Sequence, residues 1–211
     1  HPIPADAFYS FHRPKGGYGG PDFIFTPGGQ LFTYQYPHAW YDFRNTTDAL
    51  GVSWWQNSIE AVLANQRFAI DNPSFGYSDR VWGLTASDGP YPTPDNPFGY
   101  QAYGAKPSYS NIHDGTIAPT GIGGSVAFAP NIAIPSLRYL VETYGSLLWD
   151  TYGFRDAFNP NLGWVDNYYL TIDQGIMLLM LENHRSELIW KTFMANAHVR
   201  RSLARAKFTG Y

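Results

Sequence analysis

Carboxylates dominate the residues that could do chemistry. Six aspartates, Asp42, Asp88, Asp114, Asp156, Asp166 and Asp173, sit beside glycines or aromatics in segments that read as loops or element ends, whereas glutamate is sparse: Glu60, Glu142, Glu182 and Glu187. Cleaving a glycosidic bond takes two carboxyl groups, one acid and one base or nucleophile. Spacing alone does not select the pair. Asp173 is the best placed, because "TIDQG" (171–175) runs straight into the apolar "IMLLML" of an expected helix. Free amides and the dipole at a helix N-terminus favour an ionised carboxylate, which suits a base rather than an acid. The same position suits a helix cap, and residue type leaves both readings open. Glu60 reads as part of a solvated helix face. Glu182, Asn183 and Arg185 read as a buried polar cluster that holds an apolar helix in register.

Other chemistries find little support. The chain has no cysteine and no HExxH pair of histidines, and His113-Asp114 by itself is a weak metal signal. "GIGGS" (121–125) lacks the lysine of a phosphate cradle, and no GxSxG occurs. No metal or cofactor is expected. A net charge of −3 gives no electrostatic case for nucleic acid. The one basic cluster, Arg200, Arg201, Arg205 and Lys207, reads as compensation of a helix dipole. Aromatic residues make up 18% against 15% charged residues, with 7 Trp and 16 Tyr. That balance suits either core filling or a cleft in which sugar C–H faces stack on rings while hydroxyls bond to Asp, Asn, Gln and Arg.

These residues need elements to hold them. Residues 53–71 read as a helix with Ser53 as N-cap, Trp55, Ile59, Val62, Leu63, Gln66 and Ile70 at approximately helical spacing, and a stop at Asn72-Pro73. A second helix is expected over 135–149, with Pro135 in its first turn and Leu137, Leu140, Val141, Tyr144 and Leu148 facing inward. A third covers about 174–195, continuing after a break to 207, and its apolar first half is expected to be buried all round. "DFIF" and "QLFTYQY" read as short strands or extended segments. Residues 72–134 read as long and irregular, yet Trp82, Tyr91, Phe98, Tyr100, Tyr103 and Tyr109 argue against disorder. The longest apolar run, Ile176 to Leu181, is too short to span a bilayer. The chain opens on His1 without a signal peptide and is expected to be processed or a fragment. The pattern is all-α, with long aromatic-rich loops.

Six ordered segments carry a resemblance: "HAWYDFRN" (38–45), "QNSIEAVLANQRFAID" (56–71), "VWGLTASDGP" (81–90), "DGTIAP" (114–119), "YGFRDAFNP" (152–160) and "TIDQGIMLLMLENHRSELIWKTFM" (171–194). Together they resemble the glucoamylase-like (glycoamylase) domain of bacterial proteins, which includes the endo-β-1,2-glucanases of glycoside hydrolase family 144 and a domain of cyclic β-1,2-glucan synthases. The resemblance covers residues 1 to about 196 and implies an (α/α)6 toroid, of which the single domain segment 1–211 looks like the C-terminal half. It implies an inverting glycosidase acting on β-linked glucan, with Asp173 as base and a general-acid Glu lying outside this chain. The N-terminal half of the same toroid and an oligo- or polysaccharide are the implied partners. Asp42, Arg44, Trp82, Asp88, Asp114, Arg155 and Gln174 match positions that would shape the sugar cleft. A periplasmic or secreted location is implied in the same way. The alternatives are a transglycosylating synthase domain and a non-catalytic glucan-binding domain.

Overall fold

The computed structural model describes residues 3–105 and 113–211; Tyr109 of the aromatic loop lies outside them. Eight α-helices form the frame: α1 (Ala5–Tyr9), α2 (Leu31–Trp40), α3 (Trp54–Asp71), α4 (Pro119–Gly123), α5 (Pro130–Leu148), α6 (Thr171–Ser186), α7 (Leu188–Met194) and α8 (Ala197–Arg205). Between them lie four separate two-stranded antiparallel hairpins: β1 (Lys15–Gly16) with β2 (Phe23–Ile24), β3 (Ala86–Ser87) with β4 (Gln101–Ala102), β5 (Trp149–Asp150) with β6 (Gly153–Phe154), and β7 (Phe158–Asn159) with β8 (Trp164–Val165). Helix α6 packs on α2, α4 and α7, and its first turn is tied by the Tyr36 hydroxyl to the Ile172 carbonyl and by the Gln174 side chain to the Phe154 carbonyl.

Helix α3 starts where its sequence says, with the Ser53 hydroxyl accepting the Gln56 amide. Its inward face, however, is Asn57, Ser58, Ala61, Val62, Ala64, Asn65, Phe68 and Ala69, while Leu63 and Ile70 are exposed. Small and amide side chains win this face because the backbone of the 83–84 segment lies against it. Asn65 Oδ1 accepts the Gly83 and Leu84 amides at 3.3 and 3.0 Å, and its Nδ2 donates to the Leu84 carbonyl. Gly83 adopts φ +108°, and a Cβ there would stand 2.7 Å from the Ala118 carbonyl oxygen, so only glycine fits.

Three expectations need correction. "QLFTYQY" is not extended: Leu31, Tyr34, Gln35, His38 and Ala39 are the buried residues of α2, at helical spacing. The pattern is masked because two of those core positions are Gln and His, each with buried partners: Gln35 donates to the Gly121 carbonyl, and His38 Nε2 meets the Ser58 hydroxyl. Pro135 does not open α5. Pro130 occupies the first turn and Pro135 sits inside, where it forgoes one backbone bond. Helix α6 is not buried all round either: Asp173, Ile176, Met180 and Asn183 face inward, while Ile172 and Leu178 are 62% and 67% exposed. After α6 the chain breaks at Glu187, which takes a left-handed φ of 61°.

The main core gathers Leu31, Val62, Trp82, Leu84, Ile117, Ile122, Leu140, Leu148, Ile176 and Met180; a smaller one joins Phe43, Leu203 and Phe208. No helix among the described residues is long and apolar enough to cross a membrane.

Candidate active site

Two hairpins and a helix end assemble an acidic pocket. Gly153 (φ +93°) and Gly163 (φ +61°) supply the left-handed turns of the β5–β6 and β7–β8 hairpins. Asp156 lies between β6 and β7 and Asp166 just after β8. Two backbone bonds bring these segments together, from Asp166 N–H to the Ala157 carbonyl (2.9 Å) and from Asp156 N–H to the Tyr168 carbonyl (3.1 Å). The β7 strand is anchored in turn by reciprocal 2.9 Å bonds between Phe158 and Ile117. Asp88 follows β3, and its N–H donates to Asp156 Oδ2 at 3.0 Å. Asp173 enters from the first turn of α6, which the Gln174 side chain ties to the Phe154 carbonyl. That tie sets the start of α6 beside the 154–156 segment, so Asp173 and Asp156 feel each other's charge.

All four aspartates are buried, Asp156 completely. Among the described residues none of the four forms an ion pair. Their carboxyl groups are accordingly pushed toward the protonated state. Burial pushes Asp88 up to about 6, helped by the Asp166 charge. Asp166 is raised by burial, against the pull of the Tyr168 and Asn167 amides and of Arg155. Asp156 is raised most by burial, with the charges of Asp173, Asp166 and Asp88 adding to it and the Asp88 amide opposing. Asp173 is raised by burial and by Asp88, while its contact with Asp156 holds it down in part. At Asp173 burial thus works against the helix end, raising the titration that free amides and the dipole would lower. Nor does Asp173 cap the helix. The N-cap is Leu170, without a side-chain cap bond, and Asp173 sits in the first turn.

One oxygen each from Asp88, Asp156 and Asp166 lies within 4.8 Å of the others. Clustered carboxylates are hard oxygen donors of the kind magnesium and calcium take with waters completing the shell, and carboxyl groups this close and this buried also share protons.

The rim is aromatic. Tyr36 donates from its hydroxyl to the Ile172 carbonyl at 2.7 Å, and both Tyr36 and Tyr100 feel the Asp173 charge. Phe98 and Tyr168 are half exposed and meet edge to face at 5.6 Å. Exposed rings beside buried carboxylates are the pairing a pyranose ring uses.

Other candidate residues take different places. Arg155 lies beside the pocket, donating to Asp150 (3.0 Å) and to the Asp166 carbonyl. Gln174 is spent on the Phe154 tie. Asp114 accepts the Tyr103 hydroxyl (2.9 Å) and the Thr116 amide (2.8 Å), which makes it a loop brace. Trp82 is fully buried, its indole N–H donating to the Ser136 hydroxyl, so it has no face for a sugar. Asp42 and Arg44 lie at the far end of α6: Arg44 pairs with Asp42 and with Glu187 and covers the Trp190 ring, roughly 20 Å from Asp173 at the rise of an α-helix. Glu182 and Arg185 form a surface pair rather than a buried cluster; the buried member is Asn183, bonded to the Ala39 carbonyl and the Trp190 amide. Glu60 bonds to Gln56 one turn away. Asp156 and Asp166 stood among the loop aspartates of the sequence, but only hairpin pairing sets them beside Asp173.

The family model named Glycoamylase, which describes glucoamylases, matches residues 1–197. The chain belongs to the glycoamylase family. A fellow protein of known activity, the exo β-1,2-glucooligosaccharide sophorohydrolase (non-reducing end) of Parabacteroides distasonis, is 35% identical over 178 residues, covering 83% of this chain and 23% of that protein. The endo-β-1,2-glucanase of Chitinophaga pinensis, solved with sophorotriose and glucose, superposes with a TM-score of 0.85 at 28% identity, over 99% of this chain and 51% of its own. A β-1,2-glucanase structure from Parabacteroides distasonis gives 0.79 at 32% identity, over 91% of this chain and 26% of its own. This glycoamylase chain therefore spans about half or less of each of these relatives, and its mostly helical fold corresponds to part of theirs.

Proposed function

We propose that this chain is the C-terminal half of an (α/α)6 toroid that hydrolyses β-1,2-glucan with inversion, and that Asp173 is its base. The observation that carries the reading is the pocket itself: four buried aspartates without a paired cation, rimmed by exposed aromatics, in a family whose relatives are named for β-1,2-glucan hydrolysis. An inverting hydrolase needs a carboxylate that deprotonates water on the face opposite the leaving group. Asp173 is held in the first turn of α6 and is the least buried of the four, at 8% exposure. The four glutamates stay away from the pocket: Glu60 bonds within α3, Glu142 lies exposed on α5, and Glu182 and Glu187 close the far end of α6. The general acid then comes from the other half of the toroid. Asp88 and Arg155 border the cleft, and the aromatic rings of Phe98, Tyr100 and Tyr168 form sugar platforms. Export to the periplasm or outside the cell fits a polysaccharide substrate. Transglycosylation is less favoured, since the relatives of known activity are named as hydrolases.

The test is product release from linear β-1,2-glucan, beside β-1,3-glucan, β-1,4-glucan and starch, by the longest natural form of the protein and its Asp173→Asn variant. Short β-1,2-linked products that vanish in the variant support the reading. No cleavage of any glucan by the natural form sinks it.

A further inference from the structure

Helix α6 delivers Asp173, yet its first turn lacks what usually fixes a helix start. The N-cap, Leu170, offers no side-chain acceptor, and Thr171 and Ile172 lie exposed, so burial does not hold them. The backbone closes the turn through the Leu170 carbonyl, which accepts the Asp173 and Gln174 amides at 3.1 and 2.9 Å. An uncapped helix start of this kind frays readily. Two side-chain bonds hold the turn instead. The Tyr36 hydroxyl donates to the Ile172 carbonyl at 2.7 Å, and the Gln174 side chain donates to the Phe154 carbonyl. They grip the residue before Asp173 and the residue after it. Tyr36 is itself set by a strut. Helix α2 is tied at its start to the segment that leads into Asp88: the Leu31 amide donates to the Leu84 carbonyl (3.3 Å) and the Phe32 amide to the Thr85 hydroxyl (3.1 Å). Gln35 fixes the same helix to the Gly121 carbonyl and the Ser125 hydroxyl. Tyr36 lies one turn beyond Phe32, whose ring it meets edge to face at 6.2 Å. Helix α2 therefore links the Asp88 segment to the turn that carries Asp173, and the Tyr36 hydroxyl is the last link.

We propose that Tyr36 is the positioning residue of the base: its bond to the Ile172 carbonyl holds the first turn of α6 so that the Asp173 carboxylate keeps the distance and angle at which it takes a proton from the attacking water. The inference rests on the reading of Asp173 as base. A base works only within hydrogen-bond reach of its proton, and a displacement of about 1 Å can cost about 100-fold in rate. Gln174, which the motif match sets among sugar-binding positions, turns its amide to the Phe154 carbonyl and serves the same turn from the other side. The competing role for a partly exposed tyrosine at the rim is a direct sugar contact. The two roles differ in kinetics: a contact made equally in ground and transition states is felt in KM, whereas the placing of a base is felt in kcat.

The experiment compares the longest natural form of the protein with Tyr36→Phe, Gln174→Ala, Asp173→Asn and the double variant Tyr36→Phe/Asp173→Asn. It reads kcat and KM on linear β-1,2-glucan, and hydrogen exchange at the Asp173 and Gln174 amides. Tyr36→Phe removes the hydroxyl and keeps the ring against Phe32. It should lower kcat about tenfold, leave KM within about twofold and speed exchange at both amides. Gln174→Ala should act in the same direction. In the Asp173→Asn background, Tyr36→Phe should cost less than about twofold, because a residue that acts through the base then has nothing left to position. Three results overturn the proposal: an unchanged kcat in Tyr36→Phe, a raised KM with kcat kept, which makes Tyr36 a sugar contact, or a tenfold loss that persists in the Asp173→Asn background. If Gln174→Ala fails to fold, the Tyr36→Phe variants decide alone. If the natural protein cleaves no glucan, the function reading fails, while unaltered exchange at the two amides would by itself show that Tyr36 does not hold the turn.

Discussion

At the scale of single residues, the pocket turns burial into proton affinity. Asp88, Asp156, Asp166 and Asp173 are all raised above the ordinary aspartate range of about 4, first by burial, with like charges nearby adding to it at Asp88, Asp156 and Asp173. A base raised in this way needs a higher pH to ionise, so the acid limb of kcat/KM should lie above about pH 4; an acid limb at the ordinary carboxylate value would contradict the buried pair. Stability carries the opposite sign. These four groups bind more protons in the folded chain than in the unfolded one from about pH 4 toward neutrality, so their contribution to stability is greatest below the unfolded value and falls as pH rises through the raised folded values, whereas His38 and His113, lowered by burial, contribute with the opposite sign. The slope approaches about 1.4 kcal/mol per pH unit for each retained proton. In thermal melts from about pH 4 to 8 the natural protein should lose stability with rising pH relative to Asp156→Asn, since the histidine contributions are common to both.

At the scale of elements, the pocket depends on backbone segments clamped by buried amides. Asn65 makes three bonds to the 83–84 segment that leads into Asp88. Asn65→Ala leaves the Gly83 and Leu84 amides unpaired, the Leu84 carbonyl keeping the Leu31 amide, and should cost about 2–4 kcal/mol; urea unfolding measures it, and a loss under about 0.5 kcal/mol would mean that water replaces the clamp. Gly83→Ala meets both a left-handed φ and the Ala118 carbonyl, so a loss of about 2 kcal/mol or more is expected in the same measurement. Both variants should lower activity through displacement of Asp88 rather than through chemistry, which predicts a defect relieved at lower temperature.

For the whole molecule, the unequal exposure of apolar residues carries the argument. Leu50, Leu147, Trp149, Ile172, Leu178 and Leu188 are each more than half exposed, and side chains of this kind normally find partners. The relatives extend well beyond the length this chain spans, which supports another toroid half covering these faces. Expressed alone, residues 1–211 should bind a hydrophobic dye or self-associate, and a longer natural form should not. A monomeric, dye-negative and cooperatively melting 1–211 chain, seen by light scattering and calorimetry, would remove the case for the missing half.

What the sequence determined by itself was local and periodic. The Ser53 cap, the long helices α3, α5 and α6, the break after α6 and the prominence of Asp173 before an apolar run were all legible, because propensity and spacing act over a few residues. The ordered motifs pointed to the family, which the match over residues 1–197 shows. Tertiary structure alone decided which aspartates meet. Asp88, Asp156 and Asp166 come from three loops whose hairpins are only two residues per strand, too short to leave a pattern. It also decided that Trp82 is core, that Asp114 braces a loop and that Asp42 and Arg44 lie at the other end of α6, since burial depends on what packs against a residue and not on its type. The titration of Asp173 depends on the tertiary structure in the same way: the helix end acts locally and favours charge, while the dehydration that opposes it comes from residues far away in the chain.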